Sequence, residues 1–302
     1  GLRVRIRGLE FRRVLFRSNV NDSQISIPNA IPLLRVLSWT DTSAEADILA
    51  PTIGRVLSLG AFQADVDLAG GAIPFTFGNG IFRGVVSEST WNVVGSGRAM
   101  IFQSDASPTL NFSGLLLNTN TRGTLSGQLS ALGARTIVAT NMDGLDIILT
   151  SSDPTLLAVN TVLARERMTD MTLRTGSSVG LVSTGILEDS EILLGFAGAA
   201  PFSATPAELN GAGISSLQVR GLRGQPHAMI NSNVVATNLG LVTIRNVETN
   251  NGGDTFGLVG MGARRLVIFT DTQTFVWTDP NQPLPEEGDF VVMRGDDLRV
   301  VV

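Results

Sequence analysis

Short apolar runs of about four residues recur along the whole chain, separated by polar and turn-forming clusters. Val56–Leu59, Ala64–Leu68, Trp91–Val94, Ala99–Phe102, Glu191–Leu194, Leu217–Val219, Val242–Ile244 and Leu266–Phe269 are examples. Gly70-Gly71, Gly78-Asn79-Gly80, Asp105–Pro108, Ser151–Pro154 and Asn250–Asp254 carry turn chemistry between such runs. Alternating or short continuous apolar runs bounded by turns predict strands. One segment is ambiguous. Leu156–Met168 has apolar residues at 156, 157, 159, 162, 163 and 168, which partly fits a short lateral or capping helix.

A polar, small, polar, apolar motif appears four times, as Glu45–Ile48, Glu88–Trp91, Asp189–Ile192 and Asn231–Val234. Its apolar members lie 43, 101 and 42 residues apart, close to two, five and two units of roughly 21 residues. Periods of this size mark solenoids and arrays. A second motif places apolar residues at i, i+3 and i+5. It is complete in Met168/Met171/Leu173, Ile214/Leu217/Val219 and Leu239/Val242/Ile244. In Ile53/Val56/Ser58 the last position breaks, and in Ala263/Leu266/Ile268 the first is small. Residues two apart on a strand share a face, so i+3 and i+5 point one way. One coil of 21 residues cannot bury its own apolar face. Coils stacked in parallel can, by forming a continuous apolar column.

Residues 1–18 do not fit this pattern. They hold six of the 22 basic residues and a single acid, Glu10. Leu9–Ser18 back-translates in frame to CTG GAG TTC AGA CGT GTG CTC TTC CGA TCT, which resembles a common short-read sequencing adapter. The expected organisation is a non-native segment at 1–18, a solenoid over 19–270 and closing strands over 271–302. The 284 residues after the segment would fill at most about 13 coils. The upstream part of the gene is expected to be missing.

Removing residues 1–18 shifts the formal charge from −5 to −10. An acidic surface without clustered cations is a poor match for phosphate, so nucleic acid is not an expected partner. Cysteine is absent, which excludes disulfides, thiolate catalysis and cysteine metal sites. No apolar run reaches the length of a membrane span.

Ile230–Gly257 (INSNVVATNLGLVTIRNVETNNGGDTFG), followed by Arg265–Ile268 and Gly288–Val292, resembles the C-terminal end of large exported β-strand-repeat proteins of planctomycetes and related bacteria. Ile48–Leu59 and Gly185–Gly195 look like internal coils of the same type. The resemblance implies a right-handed parallel β-helix, export, and an extracellular or cell-surface setting. It brings no catalytic residues. The fold expected is therefore all-β, a right-handed parallel β-solenoid with a C-terminal capping hairpin. Phe290–Met293 and Arg299–Val302 are the strands expected to close it.

Candidate chemistry is sparse. His227 is the single histidine, in Arg223–Ala228, and reads as a turn residue without a nucleophile elbow nearby. The carboxylate pairs are Asp65/Asp67, Asp143/Asp146, Glu286/Glu287 and Asp296/Asp297; glycosidic cleavage needs two carboxylates at a set separation across a groove. Asn250–Asp254 superficially resembles a calcium repeat but occurs once with the wrong spacing, so a turn is the better reading. Arg294-Gly295-Asp296 spells an integrin-type tripeptide, read as chance. Trp39, Trp91 and Trp277 could stack on sugars, although Trp91 fills the apolar slot of the repeat. No catalytic, cofactor-binding or metal-ligating residue is assigned, and no cofactor is expected. The leading function is a non-catalytic surface or extracellular structural or adhesion module, whose partner class is an extracellular glycan or surface component. The alternative is a carbohydrate-active β-helix enzyme. It requires a groove where two or more acids converge with an Arg such as Arg220, Arg223 or Arg245.

Overall fold

A computed structural model describes residues 3–5, 14–16, 19–42, 45–71, 74–198, 200–203, 206–278 and 286–294. These residues form strands and two short 3-10 helices, Pro201–Ser203 and Pro206–Glu208, and no α-helix. The chain divides into two units, Gly1–Thr140 and Asn141–Val302. Each is a parallel β-solenoid, and between them they contain about 11 turns with coils about 22 residues apart.

In the first unit Ile25, Ile48, Val66, Trp91, Leu110 and Leu129 are register partners on successive parallel strands. All six are buried. The 43-residue gap from Ile48 to Trp91 is thus two coils, stepping through Val66. Rings fill the same interior, with Phe77 5.1 Å and Phe62 5.9 Å from Trp91, and Phe82 stacked on Phe102 at 5.3 Å. Gly80 stands where Val56 stands one coil earlier. A Cβ there would meet the Phe82 ring at 2.5 Å, so the large rings dictate the missing side chain.

In the second unit the equivalent column is Ile147, Leu173, Ile192, Val234, Leu258 and Val292. The expected count of coils is corrected here. Ile192 and Val234 are direct partners, so their 42 residues form one coil rather than two. Two insertions lengthen it, residues 196–212 and 220–228, which happen to add about one coil of sequence. The first insertion also makes a small outer core. Leu193, Val235, Val259 and Met293 form an outward row in register, and Phe196, Phe202 and Leu209 cover it. Outward apolar residues are stable there because the insertion removes them from water.

The i, i+3, i+5 motif maps onto one column through Val179/Val182/Thr184, Ile214/Leu217/Val219, Leu239/Val242/Ile244 and Ala263/Leu266/Ile268. Met168/Met171/Leu173 belongs elsewhere: it turns a corner, and Leu173 lies in the Ile192 column. The polar break at Ser58 is satisfied inside the coil, where its Oγ donates to Gly60 O at 2.9 Å. Strands also run longer than expected. Gly133–Leu149 and Leu157–Thr169 pass through corners without interruption. Leu156–Met168 is accordingly not a helix. Leu157–Thr169 pairs in parallel with Ser178–Thr184 and Ile186–Glu188, and the bend between them imitates helical spacing.

The four-residue motif is a corner. Glu88, Asp189 and Asn231, its first members, have φ of 54°, 46° and 39°. The short side chains of Asp189 and Asn231 tolerate this left-handed region better than most, because they can bond locally to the backbone; Glu88 lacks that advantage. The next residue points inward: Ser89, Ser190 and Ser232 are buried. Ser232 Oγ donates to Ile230 O (2.7 Å) and accepts the Ser190 N–H (3.1 Å); Ser190 Oγ in turn accepts the Met171 N–H (3.1 Å). A corner breaks the sheet ladder, and a buried serine restores partners to backbone groups that would otherwise be orphaned. Asp22–Ile25 and Asp170–Leu173 adopt the same corner, with φ of 40° and 49° at their aspartates.

At the C-terminal end Thr274–Trp277 runs antiparallel on Gly262–Thr270, and Glu286–Glu287 antiparallel on Phe290–Arg294. Phe290–Arg294 itself continues the parallel column beyond residue 270, on Phe256–Gly260. Trp277 lies over the last coil beside Leu239, Leu266 and Val292. The capping hairpins are thus formed by these strands; Arg299–Val302 lies outside the described residues. At the other end Arg3–Arg5 pairs with Gln24–Ser26, and Val14–Leu15 with Leu34–Val36.

Candidate functional site

In the first unit, alternation on the strand Val66–Leu68 turns Asp65 and Asp67 outward on one face, as expected. Both carboxylates bond to the next coil. Asp65 Oδ1 accepts the Thr90 N–H at 2.6 Å, and Asp67 Oδ1 accepts Asn92 Nδ2 at 2.8 Å. Asn111 Nδ2 extends the ladder to Asn92 Oδ1 at 3.0 Å. Alongside runs a groove of about 720 Å³, crossing four coils at equivalent positions. Ser26, Leu49, Asp67 and Asn92 line it as one register row, and Pro28, Pro51, Ala69 and Val94, two residues further on in each coil, as another. Among the described residues Asp67 is the charged member of that lining, and no Arg joins it.

Asp47 is the unusual acid of this unit. It occupies the outward slot of the first corner motif, yet it is 3% exposed. Its Oδ2 accepts the Asp65 N–H at 3.0 Å. Burial pushes its carboxyl up to about 7, against that hydrogen bond and with help from the charges of Asp41 and Asp65. Asp65 is raised as well, by burial first. Sequence reasoning missed Asp47, and the signal was weak, because Thr90, Glu191 and Asn233 hold the same slot only half-buried.

In the second unit His227 closes the insertion 220–228. Its Nδ1 lies 2.5 Å from Glu248 Oε2 and its Nε2 3.1 Å from Asp271 Oδ2. Chain separations of 21 and 23 residues match the coil period, so these partners were readable from the repeat. Both imidazole nitrogens thus face carboxylate oxygens. The carboxylates lie on different nitrogens of the ring, so they do not converge on one point.

The remaining candidates separate. Glu287 accepts from Thr270 Oγ1 (2.6 Å), Thr272 Oγ1 (2.6 Å) and Gln273 Nε2 (3.2 Å). Slight desolvation raises its carboxyl, and these three bonds outweigh it, for a net lowering. Asn250–Asp254 is a turn, captured by Asp289, whose Oδ2 accepts the Asn251 (2.6 Å) and Gly253 (2.9 Å) N–H groups. Backbone N–H groups aimed at one point favour an anion, the opposite of a calcium loop. Among the described residues no group of three or more His, Cys, Asp or Glu could hold a metal. Asp143 is exposed and Asp146 half-buried, beside Gly144 at a φ of 61°. The Glu286 side chain, Asp296/Asp297 and the Gly295-Asp296 part of the tripeptide lie outside the description. Trp39, Trp91 and Trp277 are 0%, 1% and 5% exposed, so none is free to stack on a sugar. Arg220 Nε and Nη2 donate to Thr184 O and Arg165 O, Arg245 lies 5.9 Å over the Phe269 ring, and Arg223 is exposed.

No family model, no curated protein and no solved structure matches this chain. No helix among the described residues is long and apolar enough to cross a membrane.

Proposed function

We propose that the chain is a non-catalytic structural or adhesion module that works at the cell surface or outside the cell. The observation that carries this reading is where the polar chemistry goes. Asp65, Asp67, Asn92 and Asn111 bond coil to coil, and so do Arg167–Glu188 (3.3 Å) and Arg174–Glu191 (3.2 Å) in the second unit. Groups spent on holding neighbouring coils together serve the length and stiffness of a stack. The surface setting rests on the likeness of Ile230–Gly257 to exported repeat proteins, and the foreign origin of residues 1–18 on the adapter-like run.

The test is incubation of the purified chain with acidic and neutral polysaccharides, with and without calcium. Unchanged chain length of every polysaccharide is expected. Cleavage that disappears in Asp65→Asn or Asp67→Asn would overturn the non-catalytic reading in favour of a carbohydrate-active enzyme.

A further inference from the structure

We propose that His227, Glu248 and Asp271 form a proton-dependent latch that fastens the hairpin 262–277 to the insertion 220–228. The three residues sit at the same corner of successive coils, next to the register partners Met229, Val247 and Thr270. Asp271 begins the turn that joins Gly262–Thr270 to Thr274–Trp277, the hairpin that carries Trp277 over the end of the core.

The chemistry follows from counting donors. An ionised carboxylate only accepts, so each of the two acids needs an N–H from the ring. The imidazolium has two N–H groups and satisfies both. Neutral imidazole has one, and its other nitrogen turns a lone pair toward a carboxylate oxygen. One of the two contacts is then lost. The Asp271 contact is the one that yields, because it is the longer, at 3.1 Å against 2.5 Å, and its side chain is 57% exposed against 27% for Glu248. The latch is therefore closed when His227 is protonated and open when it is neutral.

The surrounding charges do not replace it. Arg220 and Arg223 belong to the insertion itself; Arg220 donates to backbone carbonyls and Arg223 points to solvent. Arg245 lies over Phe269. Glu287 holds the same turn through Thr270, Thr272 and Gln273, and its lowered carboxyl stays ionised throughout the range in which histidine titrates. The turn thus keeps one constant anchor and one that depends on a proton.

Hydrogen exchange of the intact chain, read by mass spectrometry at pH 5.5 and 8.5 and corrected for intrinsic rates, tests this. Peptides covering residues 262–277 should lose protection about tenfold at the higher pH, the scale of one charge-assisted hydrogen bond. His227→Gln should remove the pH dependence. Asp271→Asn should keep the hairpin protected at both values, because the amide can donate to a neutral Nε2. Peptides covering Ser178–Thr184 report whether each variant is folded. Equal wild-type protection at the two pH values would overturn the latch, as would a pH dependence that persists in His227→Gln. A further readout needs no variant: the ring signal of this single histidine and the hairpin exchange must share one midpoint, and separate midpoints refute the coupling.

Discussion

Replacing Asp47 by Asn should stabilise the first unit at neutral pH. The perturbation is small in volume and keeps an oxygen to accept the Asp65 N–H. It removes the ability to ionise in a site that is 3% exposed. The Asp47 carboxyl is raised from an ordinary 3.8 to about 7, so between these values the folded chain binds more protons than the unfolded one. Stability conferred by the neutral acid is complete below about pH 4, falls as pH rises, and is lost above about pH 7. At about 1.36 kcal/mol per pH unit the full effect is about 4 kcal/mol, and relaxation of the site brings the expected value to about 2–4 kcal/mol. Urea unfolding followed by tryptophan emission reads this unit through Trp39 and Trp91. At pH 4 wild type and Asp47→Asn should unfold together; at pH 8 the variant should be more stable by about 2–4 kcal/mol. Asp65, raised in the same direction, leaves a shallow residual slope in the variant. A variant less stable than wild type at pH 8, or a difference that does not change with pH, would refute the reasoning.

Three further outcomes are expected. Ser232→Ala removes the acceptor of the buried Ser190 N–H, and urea unfolding should show a loss of about 1–3 kcal/mol. At Asn231, φ 39°, Gly should be nearly neutral while Val costs about 1–2 kcal/mol, measured the same way. Deleting residues 1–18 strips Phe16, 5.8 Å from the Trp39 ring, so tryptophan emission should shift to the red while the circular dichroism of the remaining strands persists; loss of the β signal would show that the segment is needed for folding.

The apolar column was legible because its physics is local. Ile48, Trp91, Ile192 and Val234 must point inward, and inward residues repeat with the coil. The length of a coil was not legible between Ile192 and Val234, because an insertion that adds about one period of sequence cannot be told from a coil by spacing alone. The corner motif was visible as a pattern but not as a mechanism. Its serines look polar and external in sequence, and only the broken ladder at a corner explains why Ser190 and Ser232 are buried. Asp22–Ile25 carries the same pattern and was readable. Asp65 and Asp67, two apart in a strand-like run, were legible as sharing a face, but sequence does not show that a side chain is already bonded to the next coil. His227 read as an isolated turn residue, although its partners lie one and two periods further along.

The most direct test of the stacked-coil account uses the absence of cysteine. Glu191 and Asn233 are half-buried register partners on adjacent parallel strands, 42 residues apart in sequence. Adjacent strands lie about 4.8 Å apart, within reach of a disulfide, whereas strands separated by an intervening coil lie about 10 Å apart and cannot be bridged. In Glu191→Cys/Asn233→Cys, mild oxidation should close an intramolecular disulfide rapidly in the folded chain, seen as a mass loss of about 2 Da, the two thiol hydrogens. Thiols that stay free under those conditions in a folded protein would contradict the account.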